Sequence, residues 1–433
     1  MLDYESIRIL PLIIFPILFV IGFFHRPVYI PISFLTLLLT KTANYYPVLI
    51  SLRVESIVVV LGLIGVIVIN KDFYKLSGSY DKVNKYFWIF IGTIAVSFMV
   101  SWDYKFSWDV KLYDFIKVLA LYIMLLLAIK DTDDIKIFVW SFVILFTYLA
   151  YEPVYGFLSG TGGAREMYGN IYVAEFGILA GHVALSNNMN QMLPIALFLI
   201  PSIQNRLLKI AASIPVFMFI AAIIGSRSRG GAAGLVMLGI MLVYFSKNRV
   251  KNAIVVGTLV VALFAYSGTL TSTFERIDKS GAQGRFGGLT NGIEMVLKGN
   301  LLGVGPGCYL LARQKYFNFY MESHNIYGQL IGDLGIPGTI AWFFLIRQIF
   351  RNLLKSRREL SAISRENDFL FNLTTGLMIS LIQRLFVSLG SHGLYYFYWY
   401  VMAVLSVAIL KCVENLSSNL GHDDVLSECD QSR

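Results

Sequence analysis

Charge is scarce in this chain. Lys, Arg, Asp and Glu make up 15% of its 433 residues, against roughly 25% in soluble domains, too little to cover a globular surface with polar groups. Cysteine is nearly absent. Of the three, Cys308 lies in a different polar region from Cys412 and Cys429, so no disulfide framework is implied. An aromatic-basic groove and a nucleic-acid motif are both missing, and the net charge of +9 is therefore not read as a nucleic-acid footprint. No internal repeat is visible either.

Hydrophobic residues are abundant. They account for 56% of the chain, with a mean hydropathy of +0.65. This balance suits a protein whose outer surface faces lipid. A spanning helix needs about 20 mostly apolar residues, and candidates begin near Ile7, Ser56, Tyr86, Leu112, Ile137, Met189, Leu208, Ala232, Asn252, Gly335, Phe369 and Leu394. Pro27, Pro31 and Pro47 interrupt residues 28–50, which read as one kinked span or a re-entrant hairpin. The first run, Ile7 to Phe24, lacks a small-residue cleavage site and reads as a retained helix. Tyr395, Tyr396, Tyr398 and Tyr400 read as an interfacial belt. The fold expected is an all-α polytopic integral membrane protein with about 12 transmembrane helices, embedded in the lipid bilayer.

Lys and Arg set the orientation. Arg347, Arg351, Lys355, Arg357, Arg358 and Arg365 form the densest basic cluster, and the positive-inside rule places it in the cytoplasm. Counting outward puts the basic segments 71–85, 204–209 and 247–251 on the same side. The chain then divides into an N-terminal helix bundle at 1–267, a large periplasmic loop at 268–334, C-terminal transmembrane helices at 335–411 and a cytoplasmic, disordered tail at 412–433. The long loop holds the apolar stretches Ile293–Leu297 and Leu301–Val304, with Gly303, Gly305, Pro306 and Gly307 as turn signals. It is expected to carry short helices on the outer membrane surface.

The outer side also gathers the residues able to do chemistry. Ser226-Arg227-Ser228-Arg229-Gly230-Gly231 precedes a helix read from Ala232, so two guanidinium forks meet the positive end of a helix, an arrangement suited to an anion. The bland alternative is a basic helix boundary with snorkelling side chains. Glu322-Ser323-His324-Asn325 opens the next feature. Histidine is the side chain most easily used as a base near neutral pH, although a lone histidine usually serves structure. Arg384 sits in an apolar span, where an arginine costs about 2.5–3.5 kcal/mol on insertion scales, so a polar cavity is expected beside it. Asp131-Thr132-Asp133-Asp134 contains a DxD pattern used by some glycosyltransferases to hold a metal. It falls on the cytoplasmic side and reads as a helix N-cap.

At these residues the sequence resembles the O-antigen ligase and polymerase superfamily of bacterial envelope glycosyltransferases, including the ligase-like proteins found beside exosortase-type systems. The matching pieces are Ser228-Arg229-Gly230, Gly284-Arg285 with an amphipathic stretch to Gly303-Val304-Gly305, and Ser323-His324-Asn325 through Asp333-Leu334-Gly335 and Gly338. Asp333 stands where many members have Glu, Leu289 where a Trp is often found, and Asn300 where a Pro is common. Arg276 and Gly287 fit an Arg-x10-Gly spacing noted in polymerases.

The resemblance implies a multi-pass protein of the bacterial inner membrane with its active site facing the periplasm. It would transfer a glycan from undecaprenyl diphosphate to a hydroxyl of a glycan, lipid A-core or protein acceptor, with no cofactor and no metal. Arg227, Arg229, Arg276, Arg285 and Arg384 would hold the diphosphate. His324 would take the acceptor proton, with Asn325 or Glu322 assisting. The same donor chemistry serves a polymerase, and the sequence does not separate the two. A transporter or flippase would instead show broken helices in matching halves.

Overall fold

The computed structural model describes residues 4–41, 46–69, 82–159, 181–245, 254, 257, 281–363, 365 and 368–431. Among these every regular element is a helix. Arg276 and the span expected near Asn252, apart from residues 254 and 257, fall outside the described residues.

The N-terminal half runs α1 (Tyr4–Phe24), α2 (Tyr29–Thr40), α3 (Pro47–Ser51), α4 (Val54–Ile69), α5 (Lys82–Met99), α6 (Tyr104–Ser107), α7 (Tyr113–Ala128) and α8 (Thr132–Ser159). A π-helical turn, Trp108–Leu112, joins α6 to α7. There follow α9 (His182–Leu199), α10 (Arg206–Gly225), α11 (Arg229–Phe245), α12 (Gly281–Leu297), α13 (Tyr309–Phe317), α14 (Ile326–Ala362), α15 (Phe369–Val387) and α16 (Phe397–Gln431).

Among the described residues six helices are long and apolar enough to cross a membrane: Thr132–Ser159, His182–Ser202, Arg206–Gly225, Ile326–Ala362, Phe369–Gly390 and Phe397–Ser418. Several expected spans are apolar but shorter, Tyr29–Thr40, Val54–Ile69 and Arg229–Phe245 among them. At 1.5 Å per residue they fall short of a hydrocarbon core of about 30 Å. Of residues 28–50, read as a kinked span or a re-entrant hairpin, 29–40 form α2 and 47–51 form α3, and α2 is not broken by Pro31. It lies in the first turn of α2, a position proline tolerates, and α2 is buried along most of its length.

Burial separates central from peripheral helices. The apolar window of Phe397–Ser418 is 83% buried and that of Arg206–Gly225 only 28%, so α16 is the hub. On α10, Leu207, Ile210 and Phe217 present an apolar outer face of the kind that lipid covers. Aromatic stacking fixes the hub: Phe87 stacks on Tyr122 with centroids 3.7 Å apart, Tyr400 meets Phe87 and Phe115, and Trp399 meets Trp342 edge to face at 5.4 Å. The tyrosines read as an interfacial belt are mostly interior. Tyr395, Tyr398 and Tyr400 are buried and only Tyr396 is exposed. Each buried phenol has a partner inside, respectively Asp333, Ser380 and the Leu394 carbonyl, which removes the need for an interface. α16 also continues as helix to Gln431, past residue 412 where the polar composition led us to expect a disordered tail.

The DxD segment caps a helix. Asp131 Oδ1 accepts from the Asp134 backbone N–H at 2.8 Å, and Arg26 clamps Asp131 and Asp134 at 3.3 and 3.0 Å. These carboxylates are spent on holding α8 to the end of α1.

Candidate active site

The site forms around a break in α14. Gly335 has φ 64° and ψ −160°, which only glycine adopts at low cost, and it divides a short helix at 326–334 from a long one at 336–362. The break frees backbone groups, and the 301–307 segment takes them up. Val304 N–H donates to Gly332 O at 2.9 Å, Gly305 N–H to Asp333 O at 3.1 Å, and Ile336 N–H to Leu301 O at 3.0 Å. A Cβ on Gly303 would lie 2.1 Å from Asp333 O, so the glycines here are required by close backbone approach. Leu301–Val304, read as a further short helix, is therefore a turn that straps across the break. Only the first apolar stretch, Ile293–Leu297, is helical, at the end of α12.

Asp333 is fully buried at the centre of this arrangement. Its carboxylate accepts from the Tyr309 backbone N–H and the Tyr395 hydroxyl, both at 3.1 Å, and its carbonyl accepts from Ser97 Oγ at 2.6 Å. The side chain is held away from any open surface and locks three segments together. Asn300 likewise closes the turn after α12, accepting from Trp102 Nε1 and donating to Met295 O and Tyr316 Oη.

The short helix presents His324 at its mouth. Asn325 is its N-cap: Oδ1 accepts from Tyr327 and Gly328 N–H at 3.0 and 3.1 Å, while Nδ2 donates to Leu389 O at 2.9 Å. Tyr327 Oη reaches Leu385 O, and Gln329 Oε1 accepts from Gly393 and Leu394 N–H. The helix is thus tied to the α15–α16 connection along its length. Capping falls to Asn325 and not to His324, whose backbone takes the left-handed φ of 47°, uncommon outside glycine. The half-buried imidazole stands 5.2 Å, centroid to centroid, from that of His392.

Around the two rings lies a set of polar groups. Glu322 Oε1 pairs with Lys111 Nζ at 3.2 Å. Lys111 comes from the π-helical turn, a distortion often found at functional sites. Burial pulls the Lys111 ammonium down, but Glu322 and Asp333 outweigh it and its pKa stands above the usual lysine range. Arg384 is 3% exposed. Its guanidinium lies 5.6 Å from the Trp399 ring centre, and a Cβ on Gly393 would stand 3.0 Å from Nη2. It has no carboxylate partner among the described residues. Glu322 Oε2, Arg384 Nε, Ser388 Oγ and His392 Nδ1 are all buried without a hydrogen-bond partner among the described residues. Such orphans are rare in folded proteins, and several in one neighbourhood mark a place for a polar ligand. Burial pushes His392 down to about 4, with Lys111, His324 and Arg384 acting in the same direction and Glu322 against it.

Arg313 supports the turn from behind. It is 2% exposed, donates to the Glu322 carbonyl at 3.1 Å and lies 4.6 Å from the Phe319 ring centre. With the Asn291 amide oxygen facing it, its Nε donates at 2.9 Å. Burial holds its pKa below the usual arginine range.

The sequence-derived residues divide into groups. Glu322, His324, Asn325 and Arg384 come together. Arg285 lies on α12, one turn before Gly288, whose Cβ position is 1.9 Å from Ser323 O, so its backbone stands beside the histidine turn; its side chain lies outside the description. Arg227, exposed, and Arg229, half-buried, stand at the start of α11, which begins at Arg229 and not at Ala232. Ser228 Oγ accepts from Gly231 N–H at 3.2 Å as its cap. Neither arginine has an ion-pair partner among the described residues. Asn190 Nδ2 donates to Gly231 O, and Gln383 Nε2 donates to Asn190 Oδ1 and Gly234 O. This buried network joins the Ser-Arg-Gly start to the helix that carries Arg384. The sequence counts Arg313 and His392 among the outer-side arginines and histidines without assigning them a role, and it does not mark Lys111. Their signal was position: all three fall in segments counted to the outer side.

Residues 214–343 match the family described as O-antigen ligase. The match takes in the Ser-Arg-Gly start of α11, the strap and the His324 turn, and it shows an O-antigen ligase superfamily region in this chain. The match spans 130 of the 433 residues, and the apolar helices on either side of it support a multi-pass membrane protein. No curated protein matches the chain.

Proposed function

We propose that the protein is a membrane glycosyltransferase that moves a glycan from undecaprenyl diphosphate to an acceptor hydroxyl, with its site on the periplasmic face of the inner membrane. The observation that carries this reading is the meeting of His324, on its left-handed turn, with the unpaired buried cation Arg384 and the orphaned atoms of Glu322 and His392. An imidazole and guanidinium groups are the parts that hydroxyl attack on a diphosphate-activated sugar requires. In that reaction the acceptor oxygen forms a bond to the anomeric carbon as the bond to the diphosphate oxygen breaks. His324 takes the hydroxyl proton, and the diphosphate leaves with its charge met by arginine. Fixed positive charge aimed at the leaving group is the largest lever available to such a step.

Glu322 is held by Lys111, so its role is to fix the turn and offer Oε2 to the acceptor. Asn325 spends its amide on the cap and on Leu389, so it acts through the backbone as a positioning residue. Arg227, Arg229, Arg276, Arg285 and Arg384 are assigned to the diphosphate. The reading uses no metal. A ligase and a polymerase share every part of this chemistry.

The test is donor binding and transfer in reconstituted membranes, using an undecaprenyl diphosphate-linked oligosaccharide. Arg229→Ala, Arg285→Ala and Arg384→Lys are expected to weaken donor binding, the last because an ammonium cannot form the bidentate contact of a guanidinium. Wild-type donor binding by all three variants would contradict the assignment.

A further inference from the structure

We propose that a cleft of about 480 Å³ between the start of α5 and the basic end of α14 is a binding site for a phosphate-bearing headgroup. It is separate from the His324 site: its α14 residues lie about 20–36 Å past the break at Gly335, at 1.5 Å per residue. Lys82, Arg351, Lys355 and Arg358 line it, with Glu359 as its one carboxylate. Lys355 is engaged with Glu414 at 2.6 Å and Glu359 at 3.6 Å. The other three cations have no ion-pair partner among the described residues.

A cluster of cations at a helix end is what membrane orientation alone produces. The cleft has more than that. Asn352 lines it and is 4% exposed. Its Oδ1 accepts from Gln348 Nε2 at 2.9 Å, while its Nδ2 is buried with no partner. A buried amide donor beside two guanidinium groups suits a phosphate oxygen. Glu359 Oε2 is likewise buried and unpartnered, and it suits a hydroxyl or ammonium next to that phosphate. The first-turn N–H groups of α5 add donors at the same end.

Position says where such a group comes from. Residues 336–362 run about 40 Å as helix, longer than a hydrocarbon core of about 30 Å. Counted from the break at Gly335, Lys355, Arg358 and Glu359 fall about 30–36 Å along it, at headgroup depth, with Arg351 and Asn352 about a turn deeper. An anionic phospholipid and a soluble phosphate ester offer the same chemistry there.

The experiment uses the full-length purified protein in detergent micelles, with binding of phosphatidylglycerol, phosphatidylcholine and glycerol phosphate measured separately. Preferential phosphatidylglycerol binding, weakened about tenfold by Arg351→Gln, Arg358→Gln and Asn352→Leu but not by Arg347→Gln outside the cleft, is the expected result. Glycerol phosphate binding with the same variant pattern would keep the site and make its ligand soluble. Equal binding of phosphatidylcholine, loss in Arg347→Gln as large as in Asn352→Leu, or no binding of any phosphate would overturn the proposal. Arg351 and Arg358 are exposed, so their variants remain informative even where Asn352→Leu fails to fold.

Discussion

His324 occupies a left-handed backbone position while Asn325 does the capping beside it. That division of labour leaves the helix cap to the Asn325 amide. A side chain relieved of holding the helix can be spent on chemistry, and the turn that carries it is fixed by Arg313 on the Glu322 carbonyl and by Lys111 on the Glu322 carboxylate. His392, the second imidazole, titrates in the opposite sense from a base waiting to be charged. Its folded pKa of about 4 lies below the ordinary 6.5, so between those values the unfolded chain binds more protons than the folded one. Its contribution to stability is present above pH 6.5 and is lost as pH falls toward 4. Glu322, Lys111, His324 and Arg384 are the titratable groups facing it. The melting temperature of the wild type should therefore fall on acidification across that window more steeply than that of His392→Gln. Parallel pH profiles for the two proteins would show that His392 is not held neutral.

At the scale of elements, the family motifs turn out to be contacts between backbones. The 303–305 glycines strap the helix break at Gly335, and Gly288 brings α12 against Ser323. A Cβ at Gly288 would meet the Ser323 carbonyl at 1.9 Å, and that neighbour is backbone that cannot turn aside. Gly288→Ala should thus move α12, and Arg285 with it, away from the histidine turn. The expected outcome is an inserted protein with little transfer and weakened donor binding. Full transfer by Gly288→Ala would mean that α12 does not frame the site. The ordered set of motifs was legible in the sequence because their spacing is a property of the chain. Their cause was not. Nothing in Leu301–Val304 announces a strap in place of a helix, since apolar residues and glycines suit a short helix equally until the break at Gly335 supplies its partners. Asp333 is a similar case: a lone carboxylate in an apolar run shows no sign of the Tyr309 and Tyr395 donors that come to it from distant segments.

For the whole molecule, composition made the all-helical, lipid-facing class readable, and the hub was harder to see. The peripheral α10 is the more apolar helix, yet its window is 28% buried and that of α16 83%, because helix packing in lipid is not driven by hydrophobicity alone. The orientation follows from the basic loops, and it has a direct check. Thr290→Cys and Ser361→Cys lie on opposite sides of the long helix. In intact cells an impermeant thiol reagent should label position 290 and not 361, against the parent chain as background. The reverse pattern would put the His324 site in the cytoplasm, away from the donor proposed for it.

The central claim is that His324 acts on the acceptor hydroxyl. The most direct measurement is single-turnover glycan transfer by His324→Ala in reconstituted membranes, with donor binding followed in the same preparation. Loss of a general base lowers the rate by about 10²–10⁴, so transfer should collapse to that degree while donor binding stays at the wild-type level. A His324→Ala protein that transfers glycan at the wild-type rate would contradict the mechanism, whatever the arginines contribute.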